Sequence, residues 1–239
     1  MNSAEPRSPF GRRGFVLAAI IVGVIVLAAI VVLVTSLTRG PDPQTDPTPR
    51  PSPSSSSTGD PADASVCGLA GFEDASSLDT APENDWELVG TMAAPVNETS
   101  GPGTVDGDGF RSCFAHTSEG ALFAAVNFVA TGTDATIGPR LIELVAPGPG
   151  RDALASKPPS GGPSNLRAQV VGYRVLSYSA DAATIDLAVN YSTGQLVSIP
   201  LKLLWAEGDW KLEMTDAGDL PLAPAEIQNL GGYTPWSGA

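Results

Sequence analysis

This chain of 239 residues has only one histidine, two cysteines and three lysines. With His116 alone, no multi-histidine metal centre can form, and the H-E-x-x-H pattern of zinc peptidases is absent. Cys67 and Cys113 lie too far apart in sequence for a C-x-x-C redox or zinc motif. No serine is flanked by glycines two places before and two after, which removes the nucleophile elbow of α/β hydrolases. None of the lysines has a serine three residues before it, which removes the S-x-x-K of penicillin-binding enzymes.

Basic charge is equally scarce. Thirteen Lys and Arg face 26 Asp and Glu, a formal net charge of −13. Residues 66–239 hold 8 of the basic and 21 of the acidic side chains, so that region alone carries −13. Such a field repels nucleic acid, and no basic patch with interleaved aromatics offsets it. Direct nucleic-acid binding is therefore not expected.

Against these absences stands one long apolar run. Phe15 to Leu37 contains no charged residue. About 20 apolar residues cross a bilayer core as a helix, whereas a cleaved secretory signal has an apolar core of only about 7–15. Residues 15–37 are therefore expected to be a retained transmembrane helix. Arg7, Arg12 and Arg13 precede it and only Arg39 follows closely. The excess on the first side places residues 1–14 in the cytoplasm and everything after the span outside.

Residues 38–65 read as a linker. Seven prolines fall between positions 41 and 61, among serines. This composition favours extended polyproline II, and some 25 residues of it would reach about 70 Å. A calibrated spacer and an unselected tether are both consistent with it.

Residues 66–239 are expected to form one extracytoplasmic α+β domain. "WELVGTM" (86–92) reads as a strand, and "DGDG" (106–109) as a turn. "DGDG" lacks the later ligands and closing Glu of a calcium loop. "TSEGALFAAVNFVA" reads as a buried helix with Ser118 as its cap and Glu119 in its first turn. "GPRLIELVAP" reads as a second, shorter helix, opened near Pro139 and stopped by Pro147. From residue 167 the apolar period becomes two. The sets Val171, Tyr173, Val175; Ile185, Leu187, Val189; Val197, Ile199, Leu201, Leu203, Trp205; and Trp210, Leu212, Met214 each mark one face of a strand. The short joints "SADA", "STGQ" and "AEGD" make these four strands an antiparallel meander with one wet face. Pro200 argues for an edge or a bulge at its position. The helices are expected to lie across the apolar face of a curved sheet.

Outside the cytoplasm an even pair of cysteines reads first as a disulfide, Cys67 to Cys113. The rival is a Cys113–His116 thiol–imidazole pair, for which nothing local supplies an orienting third group. Neither a catalytic residue nor a metal or cofactor site is assigned. Tyr233 and Trp236, in "GGYTPW", admit two roles: contact with a partner, or closure of the core over the sheet.

The order of helices then a meander ending in "GDWKLEM" resembles the nuclear-transport-factor-two-like cone. More specifically, "GFRSCFAHTSEGALFAAVNFVA", "SYSADAATIDLAV", "VSIPLKLLWAEGDWKLEM" and "NLGGYTPWSGA" resemble membrane-anchored proteins of actinobacterial integrative and conjugative elements. That resemblance spans most of residues 86–239. It implies similarity to the outer-facing assembly subunits of conjugation and type IV secretion channels: a non-enzymatic scaffold meeting other membrane-complex subunits or further copies of itself. Similar cones also follow one span in proteins of lipid-import systems, so the alternative expectation is binding of a lipid or cell-wall fragment inside the cone. An enzyme is the third reading and the least supported, since no reaction motif is present.

Overall fold

The computed structural model describes residues 64–157 and 167–238. The expected transmembrane helix at 15–37, the expected cytoplasmic segment 1–14 and nearly all of the expected linker at 38–65 lie outside the described residues. Among the described residues no helix is long and apolar enough to cross a membrane.

The four alternating sets form the four expected strands: β5 (Ala168–Tyr178), β6 (Ala182–Tyr191), β7 (Leu196–Ala206) and β8 (Asp209–Leu212). They pair antiparallel in the order β5-β6-β7-β8. Four shorter strands come earlier in the chain: β1 (Asp85–Val89) and β2 (Met92–Val96) make one hairpin, β3 (Thr104–Val105) and β4 (Arg111–Ser112) another. Two short strands near the C-terminus complete a six-stranded sheet: β9 (Ala225–Glu226) pairs β7, and β10 (Thr234–Pro235) pairs β5. "WELVGTM" is thus the first strand, the turn and the start of the second strand of a hairpin, cut by Gly90 at φ +58°.

Helix α1 (Ser118–Gly132) begins one residue earlier than expected in its capping. Thr117, not Ser118, is the cap, and its Oγ1 accepts the Gly120 amide at 3.0 Å. Ser118 instead donates its hydroxyl to Glu73 at 2.8 Å. The helix packs on β6, β7 and β8 with one side and on the β1–β2 hairpin with the other. The sequence pattern predicts a buried stripe of Ala121, Leu122, Ala125, Phe128 and Val129; the second cover buries Phe123, Ala124 and Val126 as well, while Phe128 and Val129 are only half-buried. Gly120 is required by close approach, since a Cβ there would sit 2.0 Å from the Ala115 carbonyl oxygen.

"GPRLIEL" does open at Pro139, but it forms a 3-10 helix over Gly138–Leu144 rather than an α-helix. A short helix α2 (Pro149–Ser156) follows. It went unread because "PGRDALAS" offers only Ala153, Leu154 and Ala155 as an apolar signal.

Pro200 sits at a local edge within β7. On the side away from β6, β9 pairs Val197 and Ser198, and β8 pairs Leu203 to Ala206, leaving Pro200 between them. In β5 a register shift between Val170 and Gly172 turns the strand over, so Val170 and Tyr173 face the core and Val171 does not. The expected alternation at Val171 is corrected by that bulge, which adds one residue to β5. The second face of the sheet is also less wet than expected. Asp186, Ala188 and Ser198 lie on it and are buried, covered by the C-terminal segment that carries β10.

Candidate functional site: a cleft beside the free edge of β5

An open cleft in the described surface follows from how β5 is used. Its outer edge is hydrogen-bonded by β10 only at Gly172 and Tyr173, with the Trp236 amide reaching the Val171 carbonyl at 3.3 Å. Gly232, at φ +82°, turns the C-terminal strap just before that pairing begins. Beyond Tyr173 the strand continues to Tyr178, and no other strand among the described residues pairs with that edge. A second register shift between Val175 and Ser177 leaves Leu176 half exposed there.

A length of non-repetitive chain, 73–80, lies opposite. Two tyrosines of β5 hold its ends: Tyr173 donates to the Thr80 carbonyl at 2.8 Å and Tyr178 to the Glu73 carbonyl at 3.2 Å. Burial raises the pKa of both phenols, so both stay protonated donors. The same segment is pinned to the start of α1, where the Ser118 amide donates to Glu73 at 2.9 Å and the Ser77 amide to Ser118 Oγ at 3.2 Å. Between wall and strand lies an open cleft of about 510 Å³, lined by Leu78, Asp79, Arg174, Val175, Leu176 and Tyr178 among others.

Arg174 contributes little free charge to it. Its guanidinium pairs with the buried carboxylate of Asp186 and lies over the Tyr233 ring, 4.1 Å from the centroid. The bond to Asp186 raises the Arg174 pKa. Ser198 Oγ and the Tyr233 hydroxyl also donate to Asp186, each at 2.7 Å. Asp79, by contrast, is exposed on the wall.

The residues named from sequence fall elsewhere. Cys67 and Cys113 form a disulfide that ties the start of the described chain to β4. Cys113 has φ +64°, a left-handed conformation costly for a side-chain residue. Asp209 holds it there: its carboxylate accepts the amides of Cys113 at 2.9 Å, Phe114 at 2.8 Å and Trp210 at 2.9 Å. Burial raises the Asp209 pKa, opposed by Lys211 and those three amides. His116 is buried, stacked 3.7 Å from the Trp205 ring, and its Nε2 donates to the Ala180 carbonyl at 2.6 Å. With Cys113 bridged, the thiol–imidazole pair is not assembled.

Tyr233 and Trp236 lie inside the fold. Trp236 packs against Trp86, Phe123 and Tyr173 and donates its indole N–H to Asn84 at 2.9 Å. The "DGDG" turn links β3 to β4, with the Gly109 amide donating to the Asp106 carbonyl at 2.9 Å. Its two aspartates bind Arg140, Asp106 at 2.8 Å and Asp108 at 3.1 Å. Among the described residues no group of three or more His, Cys, Asp or Glu is placed to hold a metal.

Residues 46–235 match the family model described as a domain of unknown function, DUF8175. No curated protein and no solved structure matches the chain.

Proposed function

This chain belongs to the DUF8175 family, whose description assigns no activity, and from that premise we propose that it is a non-enzymatic, single-pass membrane scaffold. In this reading residues 1–14 are cytoplasmic, residues 15–37 anchor the chain, and the linker carries the α+β domain outside the cell. There the domain meets other subunits of a conjugation or type IV secretion-like machine. The carrying observation is the cleft beside an unpaired stretch of β5, a surface suited to holding a partner. The disulfide supports an oxidising compartment. The helix laid across an antiparallel sheet supports the resemblance to the cone of such assembly subunits.

The alternative reading is binding of a lipid or cell-wall fragment. It was expected inside the sheet's apolar face, but Ile185, Leu187, Leu201 and Leu203 there are fully buried against α1 and its neighbours. The ligand reading therefore rests on the cleft by β5, whose volume lies within the usual range of about 300–1,000 Å³ for ligand pockets. Its openness and short apolar lining favour a macromolecular partner over a lipid chain.

Cross-linking in the native membrane, with purification and mass spectrometry of what remains attached, tests the scaffold. Recovery of channel subunits is expected. Recovery of the chain alone, under conditions that capture a known membrane complex, would overturn it.

A further inference from the structure

From Arg174 to Tyr178 the outer edge of β5, at the mouth of the cleft, pairs with no other strand among the described residues. Five residues span about 17 Å, the usual length of a strand in a sheet. Exposed edges are normally blunted by lysine, proline or inward-pointing charge, because their unpaired amides and carbonyls template another strand. "RVLSY" contains neither lysine nor proline, and its one charged side chain is turned to Asp186. A short extension of β10 would have closed this edge. The strap instead leaves it at Gly232.

The opposite wall cannot close the gap by itself. Tyr173 and Tyr178 hold both of its ends by their hydroxyls, and Glu73 and Ser77 fix it to α1. The wall is therefore a rigid rim standing off the strand. The charge around the opening is negative: Asp79 lines it, Asp74 and Glu73 act on Tyr178, and Arg174 is neutralised by Asp186. The domain beneath carries −13.

We propose that this cleft receives an extended segment of a partner protein, added as a further strand along Arg174–Tyr178, with an apolar side chain against Leu78, Val175 and Leu176 and a lysine or arginine toward Asp79. Main-chain pairing supplies the attachment, and alternate side chains supply the choice of segment. A second copy of this chain is disfavoured as occupant by like charge. The inference rests on the reading of the cleft as a partner surface.

The test uses the full chain in nanodiscs and the peptide Ac-KVTVKVT-amide. Amide hydrogen exchange reads the fragment containing Arg174–Tyr178. The peptide is expected to slow exchange there by about tenfold, with little change in the β1–β2 hairpin. N-methylation of alternate peptide amides is expected to abolish the protection. Replacement of both peptide lysines by glutamate, or Asp79→Lys in the protein, is expected to weaken binding by about tenfold.

No protection at millimolar peptide overturns the proposal, as does equal protection by the N-methylated or glutamate peptide. Protection that rises with the chain's own concentration, without peptide, assigns the edge to a second copy and also overturns it. Cross-linking that recovers channel subunits while this edge stays unprotected overturns strand addition alone and leaves the scaffold standing. Peptide protection without any captured subunit does the reverse.

Discussion

The hydroxyl of Tyr233 donates to Oδ2 of Asp186 at 2.7 Å, joining the C-terminal strap to the middle of the sheet across 47 residues of chain. The carboxylate is almost wholly buried, and its other partners are Ser198 and Arg174. Tyr233 is thus the side chain by which the strap reaches a charge on a sheet face that would otherwise be wet.

Tyr233→Phe keeps the ring under Arg174 and removes the hydroxyl, which besides donating to Asp186 accepts from the Arg174 guanidinium at 3.1 Å. A hydrogen bond to a charged group contributes roughly 1.5–3 kcal/mol, so a loss of about 2 kcal/mol is expected in urea unfolding. Hydrogen exchange should rise first in the strap, at residues 230–236, and only later in β6. A uniform rise through the sheet would show that the strap is not held separately.

Cys67→Ser opens a loop whose ends are 46 residues apart in sequence. On the chain-entropy model that loop contributes about 4 kcal/mol, chiefly by restricting the unfolded chain. The urea midpoint should fall accordingly, and a reducing agent should lower the parent protein to the same midpoint while leaving the variant unchanged. The segment about Val66, which bonds to Gly208 at 2.8 Å, should become the most exchange-labile part of the domain.

Acid should loosen the turn between β3 and β4. The Phe110 amide, then Arg140, holds the Asp108 pKa below its ordinary 3.8, and Arg140 holds Glu143 below its ordinary 4.5. Groups with depressed folded pKa values take up protons first in the unfolded chain. Their contribution is therefore complete above the ordinary values and is lost as pH falls through the folded ones. The melting temperature should start to fall below about pH 4.5, and Arg140→Gln should flatten that part of the slope. Added salt should act in the same direction as the variant, because these side chains are largely in water.

The four-stranded meander was legible in the sequence because the apolar residues of each strand alternate over five to nine positions, and the long helix because apolar residues dominate Ala121 to Ala130. Where the period broke, the reading failed at identifiable residues. Val171 was placed on the core face because a one-residue bulge cannot be seen in an alternation. Asp186 occupies an outward position between Ile185 and Leu187, and nothing near it announces that Tyr233 will cover it. The cleft was not legible at all. Its walls meet through Tyr173 with Thr80 and Tyr178 with Glu73, pairs 93 and 105 residues apart. The disulfide was legible because the chain has two cysteines, which leave one pairing.

Topology is the remaining expectation with a decisive measurement. Leu88 is largely exposed on β1, so Leu88→Cys places a thiol where a membrane-impermeant maleimide can reach it. In intact cells that thiol should be labelled. On the proposed topology, with Arg7, Arg12 and Arg13 holding residues 1–14 inside, a thiol from Ser3→Cys should be labelled only after permeabilisation. Labelling of both positions in intact cells would contradict a cytoplasmic N-terminus. Labelling of neither would place the domain inside, where glutathione would oppose the Cys67–Cys113 bond and the acidic cleft would face cytoplasmic partners instead.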